Sequence, residues 1–191
     1  MTAGGGSSSL STDLAEQLKI TPDRAAELLS PSWSNFVRGK ITEQAFWGSI
    51  ERRYGKPIST TQRDIWETKG MEPLPSMVQL VHRLKTHGYN VALLSNTIPA
   101  TTQYLKADGS YDVFSFTVLS YEVGSAKPDL EIYTLALEQF GDVEPNQIVF
   151  LDDQERCLAP AREMGMQTIL VTDASQAISE VNSLLERDHA H

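Results

Sequence analysis

The run Ile148-Val149-Phe150-Leu151, leading directly into Asp152-Asp153, constrains the fold more than any other stretch of the chain. Four β-prone apolar residues bounded by turn signals, followed by a helical pattern from Glu155 through Ala159 and Ala161 to Met164-Gly165, read as a buried parallel strand and its crossover helix. Such a strand delivers its last residues to the carboxyl edge of an α/β sheet, which is where these sheets bind ligands. Two adjacent carboxylates at that edge have two physical readings. They are hard oxygen ligands of the kind Mg²⁺ prefers, and they are acidic residues of the kind that cap a helix N-terminus and favour its dipole.

The rest of the chain divides around this strand. Residues 1–11, with Gly4-Gly5-Gly6-Ser7-Ser8-Ser9, have linker composition and are expected to stay unordered. Residues 12–73 read as helix throughout. Leu14, Leu18 and Ile20 start the pattern; Thr21-Pro22-Asp23 opens a helix that Ser30-Pro31-Ser32 is expected to end; Thr42-Glu43-Gln44-Ala45 and Thr60 to Thr68 give further helices. Trp33, Trp47 and Trp66 sit at helical spacing, which points to the core of a small bundle and not to a ligand pocket. From 74 to 186 helices alternate with short apolar runs at 90–94, 116–119, 148–151 and 168–171, the signature of a parallel sheet with crossover helices. Residues 187–191 are a polar tail. The fold class is therefore α/β, a Rossmann-like parallel sheet with an N-terminal helical part.

Composition narrows the function. A formal net charge of −9 disfavours nucleic acid and anionic membranes, both of which call for clustered Lys and Arg. No apolar run approaches the roughly 18 residues of a membrane span, and no signal-peptide core opens the chain, so a cytoplasmic setting is expected. The single cysteine, Cys157, falls on the helix after the key strand, where packing explains it better than nucleophilic attack.

Three strand ends carry polar groups: Ser95 after the first, Lys127 in the loop after the second, and Asp152-Asp153 after the third. In a parallel sheet all project from one edge, so they suit an anion held by a hydroxyl, backbone N–H groups and an ammonium, with a metal on the carboxylates. Taken singly, Ser95 also serves as a turn residue and Lys127 as a solvated loop charge.

Leu93-Leu94-Ser95-Asn96-Thr97, Ser125-Ala126-Lys127-Pro128-Asp129, and Val149-Phe150-Leu151-Asp152-Asp153 with Ala161-Arg162-Glu163-Met164-Gly165 resemble the second, third and fourth motifs of the haloacid dehalogenase-like hydrolase superfamily. The helical first third, with Arg38-Gly39-Lys40-Ile41-Thr42, resembles the small cap of the subgroup that includes sugar-phosphate phosphatases and the N-terminal domain of epoxide hydrolases. The resemblance implies a phosphate or small phosphorylated molecule bound by the Ser95 hydroxyl and the Asn96 backbone. It also implies Lys127 as the catalytic charge neutraliser, and Mg²⁺ on Asp152 and Asp153.

The family's first motif, a strand ending in Asp-x-Asp that supplies the attacking carboxylate, has no counterpart in this sequence. In the family that strand lies centrally, between those ending at Leu94 and Leu151. Its loss implies little or no phosphatase activity and weak or absent Mg²⁺ binding, since the nucleophile and one side of the metal shell go with it. A non-catalytic anion-binding or protein-interaction module with a partner docked at the open sheet, a homodimer, an enzyme of altered chemistry in the same pocket, and a shortened form of an active hydrolase all remain open. So does the fate of the gap, which direct pairing of its flanking strands, water or another chain could fill.

Overall fold

The computed structural model describes residues 7–188. Four helices come first: α1 (Ser7–Leu18), α2 (Pro22–Val37), α3 (Glu43–Tyr54) and α4 (Thr60–Thr68). Their starts are written locally. The Thr21 hydroxyl accepts from Arg24 N, the Thr42 hydroxyl from Ala45 N, and Ser59 with Gln62 forms a reciprocal capping box. One core unites them, with Leu14, Leu28, Phe36, Phe46, Trp47, Ile50 and Trp66 all buried. Phe36 stacks on Phe46 with ring centroids 4.2 Å apart, and Trp47 meets Trp66 edge-on at 5.3 Å. The tryptophans are thus bundle core, as their spacing implies.

Two expectations for this part are corrected. Helix α1 begins at Ser7, not after Ser11, because Leu10 packs on the bundle core and its carbonyl accepts from Trp66 Nε1 at 2.9 Å; residues 1–6 lie outside the described part. Pro31 does not end α2. It sits inside the helix, whose apolar face is buried on both sides of it, by Leu28 and Leu29 before and by Phe36 and Val37 after. Tertiary burial there outweighs the backbone hydrogen bond that proline forgoes.

The second part alternates helix and strand: α5 (Pro75–Thr86), β1 (Leu93–Ser95), α6 (Pro99–Ala107), β2 (Thr117–Leu119), α7 (Ser120–Val123), α8 (Leu130–Phe140), β3 (Val149–Asp152), α9 (Glu155–Glu163), β4 (Gln167–Leu170) and α10 (Ala174–Asp188). The short α7 occupies what reads as loop in the sequence. Helix α10 carries Arg187 and Asp188, which the sequence assigns to a tail; residues 189–191 lie outside the described part. Among the described residues no helix is long and apolar enough to cross a membrane.

The strands form two parallel pairs. β1 lies beside β2 with Leu94 opposite Val118, and β3 beside β4 with Leu151 opposite Ile169. Among the described residues no ladder joins β1 to β3. Direct closure of the gap, one of the ways the sequence leaves open, is therefore not what the chain adopts. The pairs are held in register by side chains instead. Leu94 and Val118 share a cluster with Ile148 and Phe150, roofed by Ile132 and Tyr133 of α8 and Ala161 of α9, while α5 and α10 cover Val149, Leu151 and Ile169 on the other face. Helices on both faces of parallel strands give the three-layer α/β arrangement.

Candidate functional site

Lys127 stands in the loop between α7 and α8, in a cis Lys127–Pro128 segment. Its main chain is gripped by the Asn96 side chain, which donates from Nδ2 to Lys127 O at 2.8 Å and accepts at Oδ1 from Lys127 N at 2.8 Å. The side chain then runs across the space between the two strand pairs. Nζ donates to Leu94 O at 3.0 Å and to Asp152 Oδ2 at 2.6 Å, and lies 5.5 Å from the centroid of the Phe150 ring. The lysine side chain is 12% exposed and that of Asp152 5%. A charge pair so dry is held by its geometry, since each partner alone would be a costly buried ion.

This one ammonium gathers the residues that the sequence singled out. Leu94 is the residue before Ser95, the last of β1, and Asp152 is the last of β3 and the residue before Asp153. The C-terminal ends of β1 and β3 therefore converge on Lys127. Ser95 is partly buried, and its hydroxyl bonds to no other described residue, so it is available as a donor. Asp153 is exposed. Asp152 also accepts from Gln154 N at its second oxygen, Oδ1, at 2.9 Å. That amide belongs to the residue before α9, whose N-cap Gln154 makes no side-chain cap bond, so Asp152 orders the turn into the helix without capping it while it answers Lys127.

A divalent cation would find few free ligands here. Both Asp152 oxygens are engaged, leaving Asp153, and among the described residues no group of three or more His, Cys, Asp or Glu side chains is placed to hold a metal ion. Asp153 is thus the carboxylate of the pair left to meet a hard cation, whose remaining octahedral positions water and a phosphate would have to supply.

Further contacts support the site that the sequence did not disclose. Ser120, fully buried at the start of α7, accepts from Thr97 N at 3.0 Å and donates to Thr97 O at 3.2 Å, tying the loop after β1 to the end of β2. Arg38 at the end of α2 reaches across to Asp129, donating from Nε at 3.0 Å and Nη2 at 2.7 Å to Oδ2, and so attaches the helical bundle to the loop that carries Lys127. Gly39, at φ 64°, lets the backbones meet: a Cβ there would lie 2.2 Å from Tyr121 O. Beside this contact an open cleft of about 300 Å³ is lined by Phe36, Lys40, Ile41, Glu43, Pro99 and Tyr121. None of these cross-chain contacts has a local signal; only the Lys127-Pro128 pair marks the loop in sequence. Cys157 is buried, and burial pushes its thiol above the ordinary value. It is packing, not a thiolate poised for attack.

The haloacid dehalogenase-like hydrolase family profile matches residues 38–165. Sesquiterpene phosphatase astK of Aspergillus oryzae is 30% identical over 82% of this chain and 80% of its own length. The chain belongs to the haloacid dehalogenase-like hydrolase family. Bifunctional epoxide hydrolase 2 of Sus scrofa is 36% identical over 56% of this chain, which covers 20% of that protein. The chain thus spans about a fifth of the length of that relative. Among solved structures, a family enzyme of Bacteroides thetaiotaomicron, determined as an aspartate-to-alanine variant in complex with magnesium and inorganic phosphate, superimposes with TM-score 0.66 and 30% identity over 73% of this chain and 72% of its own. A family hydrolase scaffold of phosphatase type is therefore established.

Proposed function

We propose that the chain binds inorganic phosphate or a small phosphorylated molecule at the carboxyl edge of β1 and β3, with little or no turnover. The observation that carries this is the placement of the Lys127 ammonium between Leu94 O and Asp152 Oδ2, one residue from the free Ser95 hydroxyl. In this reading Ser95 and the Asn96 backbone N–H donate to phosphoryl oxygens and Lys127 supplies the positive charge. Positioning and charge neutralisation are what phosphoryl sites chiefly need.

Weak turnover follows from what surrounds the lysine. Its carboxylate partner, Asp152, is committed at both oxygens, and the sequence offers no Asp-x-Asp after an apolar run to attack phosphorus. Loss of a nucleophile removes most of an enzyme's rate enhancement. Mg²⁺ binding at Asp152 and Asp153 is expected to be weak or absent for the same shortage of ligands. The Bacteroides variant, in which one aspartate is alanine, is in complex with magnesium and inorganic phosphate, which supports phosphate binding in this fold without that aspartate.

Calorimetric titration with inorganic phosphate, with and without Mg²⁺, tests the binding, and p-nitrophenyl phosphate turnover tests the chemistry. Expected are saturable phosphate binding that Mg²⁺ alters little, and hydrolysis at background. Absence of phosphate binding would overturn the first part; hydrolysis that is robust and abolished in Lys127→Ala would overturn the second.

A further inference from the structure

The ladder between β1 and β2 ends with Ser95 opposite Leu119. Leu93 N donates to Phe116 O at 3.2 Å. In a parallel pair each step of two residues repeats such a bond, so the acceptor in line for Thr97 N, past the end of β1, is Ser120 O. That carbonyl is already taken. The chain turns into α7 at Ser120, and Ser120 O accepts from Gly124 N at 3.0 Å. The Ser120 hydroxyl stands in its place: Oγ accepts from Thr97 N at 3.0 Å and also donates to Thr97 O at 3.2 Å. Ser120 is fully buried and Thr97 nearly so, which keeps water from competing for either bond. One side chain thus carries the line of β1 two residues past its last strand residue.

The turn held in this way carries the phosphate donors of the proposed function. Ser95 and Asn96 immediately precede Thr97, and the Asn96 side chain is tied to the main chain of Lys127. The Thr97 hydroxyl meets Thr102 Oγ1 of α6 at 3.5 Å. The grips on Asn96 and on the Thr97 main chain both come from one segment, residues 120–127, and the Lys127 ammonium adds a third at Leu94 O. Leu94, Asn96 and Thr97 are fixed in turn, and the Ser95 hydroxyl and the Asn96 N–H lie between these fixed points. Donors already ordered bind an anion without a further ordering cost.

We propose that Ser120 is a positioning residue of the phosphate site: it touches no ligand itself, and by holding both main-chain groups of Thr97 it aims the Ser95 hydroxyl and the Asn96 N–H at one anion. This rests on the phosphate binding proposed above. Without the hydroxyl, the buried N–H and C=O of Thr97 lose that partner, and the turn must shift to satisfy them elsewhere. The shift carries Ser95 and Asn96 with it. The Lys127 ammonium keeps its own anchors on Leu94 and Asp152, so the anion retains its charge partner and loses its directional donors.

The test titrates inorganic phosphate calorimetrically into the full chain, its Ser120→Ala variant and its Val181→Ala variant, the last a packing change on α10 in a different core cluster. Amide hydrogen exchange is read residue by residue on the same samples. In the natural protein the Thr97 amide should be protected before phosphate is added, and saturating phosphate should slow exchange at Asn96 about tenfold. Ser120→Ala should bind phosphate about tenfold more weakly and exchange the Thr97 amide about tenfold faster. Val181→Ala should lose thermal stability while keeping phosphate affinity within about twofold. Equal affinity of the natural chain and Ser120→Ala overturns the role and leaves phosphate binding standing. An equal loss of affinity in Val181→Ala overturns it as well, because the effect then follows stability alone. A Thr97 amide that is unprotected in the natural protein overturns it whatever the variants do. No phosphate binding by the natural chain overturns the proposed function, and this role with it.

Discussion

Asn96 and Lys127 hold each other by a reciprocal pair of 2.8 Å hydrogen bonds, side-chain amide to main-chain amide. The exchange fixes where the lysine leaves its loop, and therefore where its ammonium lands. Asn96→Ala should weaken phosphate binding about tenfold, at a cost in global stability of only about 1 kcal/mol because the pair is solvent-exposed. Titration calorimetry and urea unfolding on the same variant check both. Asn96→Asp keeps the acceptor for Lys127 N but sets a negative charge beside the phosphate, and should weaken binding further than Asn96→Ala.

Removing the lysine should behave differently. Lys127→Met strands the buried Asp152 carboxylate and should cost about 3 kcal/mol by urea unfolding. Adding Asp152→Asn to that variant should restore much of the loss. An additive double variant would show that the pair is not coupled.

Glu67 gives a pH signature. It is buried in α4, where its Oε1 accepts from Trp47 Nε1 at 2.8 Å. Burial pushes its carboxyl up to about 7 from an ordinary 4.5, with Glu43 and Asp64 adding to the rise and the Trp47 bond and Arg63 opposing it. Between those values the folded protein keeps a proton that the unfolded chain has released. This group therefore lowers stability progressively as pH rises from about 4.5 to about 7, and the penalty is constant above. Glu67→Gln should be more stable than the natural protein by on the order of 2 kcal/mol at about pH 8, with no advantage at about pH 4. Denaturant unfolding at the two pH values reads the difference directly.

Gly39→Ala places a Cβ 2.2 Å from Tyr121 O, at a φ of 64° that already disfavours side chains. The backbone contact between the end of α2 and α7 must open, at a cost of about 2 kcal/mol or more. The urea midpoint measures it.

Ser125 carries a buried hydroxyl with no hydrogen-bond partner among the described residues. Ser125→Ala should leave stability unchanged or raise it by up to about 1 kcal/mol, since an unpaired buried polar atom is removed. Thermal unfolding checks the sign.

The sequence revealed the parts of the site that obey local rules. An apolar run meeting two carboxylates located β3 and the start of α9, and the strand ends located Ser95 and Lys127. It could not reveal that Asp152 is already engaged at both oxygens, because Lys127 lies 25 residues away along the chain and only folding brings them together. Arg38 and Asp129 are 91 residues apart and carry no periodicity that would pair them. Pro31 misled for the opposite reason. Its local rule is sound, but Leu28, Leu29, Phe36 and Val37 bury enough surface to carry the helix through it. At Leu10 the linker-like composition of its neighbours hid an anchor, since nothing nearby in sequence foretells Trp66.

Because one ammonium joins the carbonyl of Leu94 to the carboxylate of Asp152, it rivets two half-sheets that share no backbone ladder among the described residues. Selection for a chain that merely stays folded would preserve that lysine as firmly as selection for chemistry. In relatives with the same split sheet, an invariant lysine at this position would testify to architecture, and its survival alone would say nothing about turnover.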